Sequence, residues 1–144
     1  MNKDLKVYKR IEINASAEKV WDVLTNPEKI KIYLYGTQTT ASWKVGTPII
    51  FKGEYNGISY QDKGNVLQNT PLELLQYNYW SSFTGLEDKE ENYFIVSYII
   101  EKVTEKKVIF SWSQQGFSSL ERQQHTEKNL NSILEQIKKI AESS

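Results

Sequence analysis

The sequence predicts an α+β fold, a curved antiparallel sheet of about seven strands around a long C-terminal helix, with two short helices after the first strand. Three observations lead there. Residues 5–13 alternate with a period of two, the stretch from Thr37 to Trp112 is a succession of strand-like runs separated by turn residues, and Leu130 to Ala141 switches to a helical period.

In residues 5–13, Leu5, Val7, Lys9, Ile11 and Ile13 face one side and Lys6, Tyr8, Arg10 and Glu12 the other, which makes a first strand. Asn14-Ala15-Ser16 interrupts the alternation, and Ser16 offers its hydroxyl as the N-cap of a short helix carrying Val20, Trp21, Val23 and Leu24. Thr25-Asn26-Pro27 closes that helix and opens a second, from Pro27 to about Tyr33, because proline at the first helical position loses no hydrogen bond. β-Branched and aromatic residues then dominate, broken at Val45-Gly46, Asn56-Gly57, Asn69-Thr70-Pro71, the polar stretch from Thr84 to Asn92, and Thr104 to Lys107. These breaks leave strands near 38–44, 47–55, 58–68, 72–82, 92–103 and 107–114. Connections this short imply antiparallel neighbours, since a parallel pair needs a crossover of about a dozen residues or more. Finally, Leu130, Ile133, Leu134, Ile137, Ile140 and Ala141 line one face of a helix. Ser118 with Glu121 makes a capping-box start for it, and Thr126 is the cap of a shorter version. No repeat, low-complexity tract or linker divides the chain, so residues 1–144 read as a single domain.

A chain of 144 residues buries roughly 70% of its unfolded surface, enough for a substantial core. It has no cysteine, which excludes disulfides and thiolate metal sites and fits a reducing compartment, so a cytoplasmic location is expected. The N-terminus lacks the apolar core of a signal peptide, and no run approaches the ~20 apolar residues of a membrane span. Eighteen basic and eighteen acidic residues cancel, which removes the long-range attraction most nucleic-acid binders use; nucleic acid is not an expected partner. His125 is the only histidine, and no carboxylates cluster around it in sequence, so neither a metal nor a cofactor is expected. Nucleophile elbow, phosphate-cradling glycine loop and dinucleotide fingerprint are all missing. The surplus is aromatic: four Trp, nine Tyr and five Phe. Such side chains suit a cavity wall as well as a sheet-rich core, since Tyr and Trp join a broad apolar face to one polar group.

Particular residues add to this pattern. Ile13 to Pro27 runs apolar-Asn-Ala into a helix holding Val20-Trp21 and on to a Pro turn; Trp43-Lys44-Val45-Gly46 joins strand to turn; Gly64-Asn65-Val66-Leu67 is followed by Pro71 and Leu75; and Gln115-Gly116-Phe117 precedes the last helix. In these motifs, and in their order, the sequence resembles the START-like SRPBCC superfamily, and within it the proteins similar to the activator of the 90-kDa heat-shock chaperone ATPase. The resemblance implies the helix-grip fold, with a helix across the concave face of the sheet and a cavity between them. It implies no reaction, because this superfold hosts binders, co-chaperones and a few enzymes. Two departures leave the ligand open: the family often has a Trp four residues after a His in the last helix, where this chain has Asn129 after His125, and Ser113-Gln114-Gln115 lengthens the approach to Gly116.

In such a fold alternate strand residues point inward. Parity then selects Leu75, Tyr77 and Tyr79; Val96, Tyr98 and Ile100; and Val108, Phe110 and Trp112. The expected ligand-binding set is Tyr33, Trp43, Phe51, Tyr77, Tyr79, Tyr98, Phe110, Trp112, Leu130 and Leu134, with Tyr77, Tyr79, Tyr98 and Trp112 orienting a ligand through O–H or N–H groups. The alternative is a filled interior in which those groups hydrogen-bond one another. His125 falls away from the apolar helix stripe and is expected at the surface or at the pocket mouth.

The leading expectation is a binding protein for a small hydrophobic or amphipathic molecule. An alternative, implied by the resemblance, is a stress-response interaction module whose partner is a chaperone; the chain shows no separate N-terminal domain like the activator's, so full ATPase activation is not expected. A third is a cavity enzyme of cyclase or hydrolase type using Tyr hydroxyls with Glu54 or Asp62, although no residue is assigned as catalytic. Ile49, Ile99 and Ile109, outside the inward set, pack on the short helices or cover a homodimer contact.

Overall fold

A computed structural model describes residues 5–55, 57–81 and 86–143 of the chain. In chain order the elements are β1 (Lys6–Ile13), α1 (Ala17–Thr25), α2 (Pro27–Tyr33), β2 (Gln38–Ala41), β3 (Pro48–Tyr55), β4 (Ile58–Thr70), β5 (Leu74–Tyr79), β6 (Phe94–Thr104), β7 (Lys107–Gln115) and α3 (Leu120–Glu142). A short 3-10 turn, Glu90–Asn92, precedes β6. The strands form one seven-stranded sheet in the order β1-β7-β6-β5-β4-β3-β2 with every neighbouring pair antiparallel. This is the helix-grip arrangement expected from the sequence. Asn56 of the hairpin signal and the Thr84-Gly85 start of the polar stretch lie outside the described residues.

Local chemistry sets the helix ends. Ser16 accepts a hydrogen bond from the Lys19 amide at 3.2 Å and so caps α1. Asn26 serves two helices: its N–H donates to the Asp22 carbonyl at 2.8 Å, and its side-chain oxygen accepts from the Glu28 amide at 3.0 Å. At α3 the cap is Ser119, which accepts from the Arg122 amide at 3.2 Å, in place of the expected Ser118 or Thr126. Ser119 has the extended backbone an N-cap requires, and the helix therefore runs its full length from Leu120.

β4 joins the two parts of the sheet. Its first half pairs with β3, from Tyr55↔Ile58 to Pro48↔Asn65, and its second half with β5, from Val66↔Tyr77 to Thr70↔Leu74, with a register shift between Val66 and Gln68. At the changeover a Cβ on residue 64 would run into the Asn78 carbonyl, so only Gly64 fits there. The Asn65 amide donates to the side-chain oxygen of Asn78 at 2.7 Å, which replaces a ladder bond where the strands part. β2 ends at Ala41, earlier than expected, because Trp43 takes a left-handed backbone with φ 65°.

The edge strand β1 is tied to α3 by side chains. Gln123 donates to the Lys6 carbonyl at 3.0 Å, Lys138 to the Glu12 carbonyl at 2.8 Å, and the Asn14 amide donates to Glu142 at 2.8 Å. These bonds cover an edge that would otherwise offer free backbone groups to another strand. The hydrogen bond from Lys138, then that from Asn14, holds the Glu142 carboxyl below its usual range. Inside, Val7, Ile13, Val20, Leu24, Phe110, Leu134 and Ile137 belong to one buried cluster. Ile49 joins them, on the same face of β3 as Phe51 and fully buried, so it is core and not an outer-face residue; Ile99 is exposed and Ile109 half-buried. Among the described residues no helix is long and apolar enough to cross a membrane.

Candidate functional site

The buried residues of α3 are Leu130, Leu134, Ile137 and Ala141, none of them before Leu130. Between Leu120 and Asn129 the helix carries Glu121, Arg122, Gln124, His125, Glu127 and Lys128, which stay exposed. The sheet continues beneath this half, where the helix offers the polar Thr126 and Asn129 in place of large apolar side chains. The result is a cavity of about 730 Å³. Its floor is Phe51 from β3, Tyr60 and Asp62 from β4, Tyr77 and Tyr79 from β5, Val96 from β6, and Trp112 and Gln114 from β7. Leu34, Tyr35 and Thr37 after α2 form one side, and His125, Thr126, Asn129, Leu130 and Ile133 the roof.

Of the expected set, Phe51, Tyr77, Tyr79, Trp112 and Leu130 line this space. Tyr33, Tyr98, Phe110 and Leu134 are buried in the adjoining core and do not face it. Trp43 stands elsewhere: its indole N–H donates to the Thr25 carbonyl at 2.9 Å and its own carbonyl accepts from Asn69 at 2.8 Å, so it fastens α1 to β4. Tyr60 and Asp62 follow from strand parity, because Tyr60, Asp62, Gly64 and Val66 share one face of β4; Phe51, opposite Asp62, marks that face as the inner one. Glu54 is exposed on the opposite face of β3 and does not reach the cavity. Ile133 belongs to the expected apolar stripe of α3, Thr126 and Asn129 lie beside it, and His125 lines the same space.

The polar groups are largely engaged with each other. The Tyr77 and Tyr98 hydroxyls are 2.7 Å apart, a contact that uses one of their two hydrogens. Trp112 donates to Gln114 at 3.3 Å, and Tyr79 donates to Asp62 at 3.4 Å. Thr37 and Tyr60 pair at 2.7 Å, an approach open because Tyr60 lies over Gly53, whose Cβ position its ring would overlap. The rings pack edge to face: Phe51 meets Tyr79 at 5.9 Å and Tyr77 meets Tyr98 at 5.5 Å. Burial raises the phenol pKa values of Tyr33, Tyr77, Tyr79 and Tyr98 well above normal, the Asp62 charge adding to the effect at Tyr79. All four are therefore neutral donors and acceptors at physiological pH. Among the described residues no group of three or more His, Cys, Asp or Glu is placed to hold a metal ion.

Residues 14–142 match the family described as "Activator of Hsp90 ATPase homolog 1-like protein". The chain belongs to that family. A solved relative within reach of direct comparison is ChR145 from Cytophaga hutchinsonii, 38% identical, with a TM-score of 0.84 over 99% of this chain and 97% of that one. Two further structures share the fold of this activator-like chain. The Aha1 dimer from Colwellia psychrerythraea is 18% identical, with a TM-score of 0.73 over 95% of this chain and 96% of its own. CalU16 from Micromonospora echinospora is 13% identical, with a TM-score of 0.72 over 94% and 75%. No curated protein matches.

Proposed function

We propose that the chain binds a small hydrophobic or amphipathic molecule in the cavity beneath the first half of α3. The observation that carries this reading is the 730 Å³ space walled by aromatic and aliphatic side chains with a few polar groups at fixed positions. That size and lining are usual for sites that enclose a drug-sized molecule. The continuous buried cluster supports treating residues 1–144 as a single binding domain. A cysteine-free sequence suits a reducing cytoplasm as the place of action.

Thermal unfolding with and without apolar probes tests the reading. A ligand at a hundred times its Kd stabilises the fold by about 2.7 kcal/mol, which raises Tm by roughly 8 °C. A diverse set of apolar and amphipathic compounds that leaves Tm unmoved would refute it. Native mass spectrometry of freshly expressed protein adds the mass of any retained ligand.

A second reading is a chaperone-associated interaction module, favoured by the family description and by the dimer reported for the Colwellia protein. It predicts a stoichiometric chaperone, or a second copy of the chain, in the same native spectrum. Recovery of a chaperone with an empty cavity would place this reading first.

A further inference from the structure

The cavity wall has an electrostatic sign. Asp62 lines the cavity with only 6% of its surface exposed, opposite Phe51 in the β3–β4 register. The Tyr79 hydroxyl donates to it at 3.4 Å, and the Tyr79 ring stands edge-on to Phe51, whose centroid is 6.1 Å from that of Tyr77. Carboxylate and ring faces therefore share one end of the space. Among the described residues that line the cavity there is no Lys or Arg, and their one basic side chain is the exposed His125, beside Asn129 at 3.2 Å.

A carboxylate favours a cation or a strong hydrogen-bond donor, and it does so more in a site screened from water than in bulk. Aromatic faces favour the same partner through their negative quadrupole. An anionic ligand would meet Asp62, and among the described residues that line the cavity no Lys or Arg offsets the repulsion. Resting on the reading of the cavity as a ligand site, we propose that its ligand is an amphipathic organic amine. The ammonium meets Asp62 and the Phe51, Tyr77 and Tyr79 rings, while the apolar body lies along Val96, Trp112 and Leu130. The raised pKa of the Tyr79 phenol, due first to burial and then to the Asp62 charge, agrees with a negative potential at that end.

Isothermal titration at pH 7 with three probes of matched shape tests this: 2-(2-naphthyl)ethylamine, 2-(2-naphthyl)ethanol and 2-naphthylacetate. The amine binds at least about tenfold more tightly than the alcohol, and the acid binds most weakly. In Asp62→Asn the amine falls to within about threefold of the alcohol, whose own affinity stays in place and reports an intact cavity. An acid that binds the wild-type protein as well as the amine does, or an amine advantage that survives in Asp62→Asn, overturns the inference. If the alcohol binds and the amine has no advantage, the amine falls while the cavity reading stands. If none of the three binds, the cavity reading falls and the inference with it. The wild-type ranking decides by itself should Asp62→Asn fail to fold.

Discussion

From Leu130 to Ala141, α3 seats Leu130, Leu134, Ile137 and Ala141 among sheet and α1 side chains; from Leu120 to Asn129 the same helix buries nothing. Both halves are helical for sound local reasons. Glu, Arg, Gln and Lys are good helix formers, and Ser119 caps the start. The difference lies in reach. From Leu134 on the helix supplies Leu134, Ile137 and Ala141 to the buried core, whereas the earlier turns supply His125, Thr126, Asn129, Leu130 and Ile133 to the roof of the cavity. The cavity thus follows from the composition of ten residues on one helix and needs no special distortion of the sheet.

The largest effect should separate the two halves directly. Ile137→Ala removes a fully buried side chain from the solid half and should cost about 2–5 kcal/mol in urea unfolding. Thr126→Ala, on the cavity roof, should stay within about 0.5 kcal/mol. Equal losses would mean that the first half is as tightly packed as the second.

Next in size is the response to alkali. Tyr33, Tyr77, Tyr79 and Tyr98 have phenol pKa values raised by burial above the unfolded value of about 10. Their contribution to stability is fully present below about pH 10 and is lost as pH climbs toward the folded values, by up to about 1.4 kcal/mol per pH unit for each. Phenolate absorbance from these four should therefore rise together with loss of circular dichroism, as one transition. Phenolate formation by all four while the fold persists would show that they are open to solvent.

A smaller change should follow from filling the void. Asn129→Leu adds apolar volume at the roof and should raise stability by about 1 kcal/mol while weakening any apolar probe at least tenfold. Unchanged probe affinity would place the binding elsewhere.

The regular parts of this fold were legible because each has a period. Residues 5–13 alternate, the α3 stripe repeats every three or four residues, and Asn26-Pro27 marks the junction of two helices. What escaped depended on backbone geometry that residue type does not encode. Ser118 and Ser119 are chemically identical, and only the extended conformation of Ser119 makes it the cap. Trp43 carries the chemistry of a cavity wall, yet its left-handed backbone turns the indole toward Thr25. Tyr98 and Phe110 have the inward parity expected of them but lie behind other rings, because parity chooses a face and says nothing of depth. Asp62 was legible only as one of two candidate carboxylates, with Glu54; that Asp62 and not Glu54 reaches the cavity follows from the pairing of β3 with β4.

Amide and indole NMR shifts during titration with 2-(2-naphthyl)ethanol examine the contrast between the halves of α3 most directly. Changes should concentrate at Phe51, Asp62, Tyr77, the Trp112 indole N–H that donates to Gln114, and residues 125–133, with residues 134–141 nearly still. Changes centred instead on the outer sheet face around Leu67, Tyr93 and Ile95, or none at saturating probe, would contradict the account.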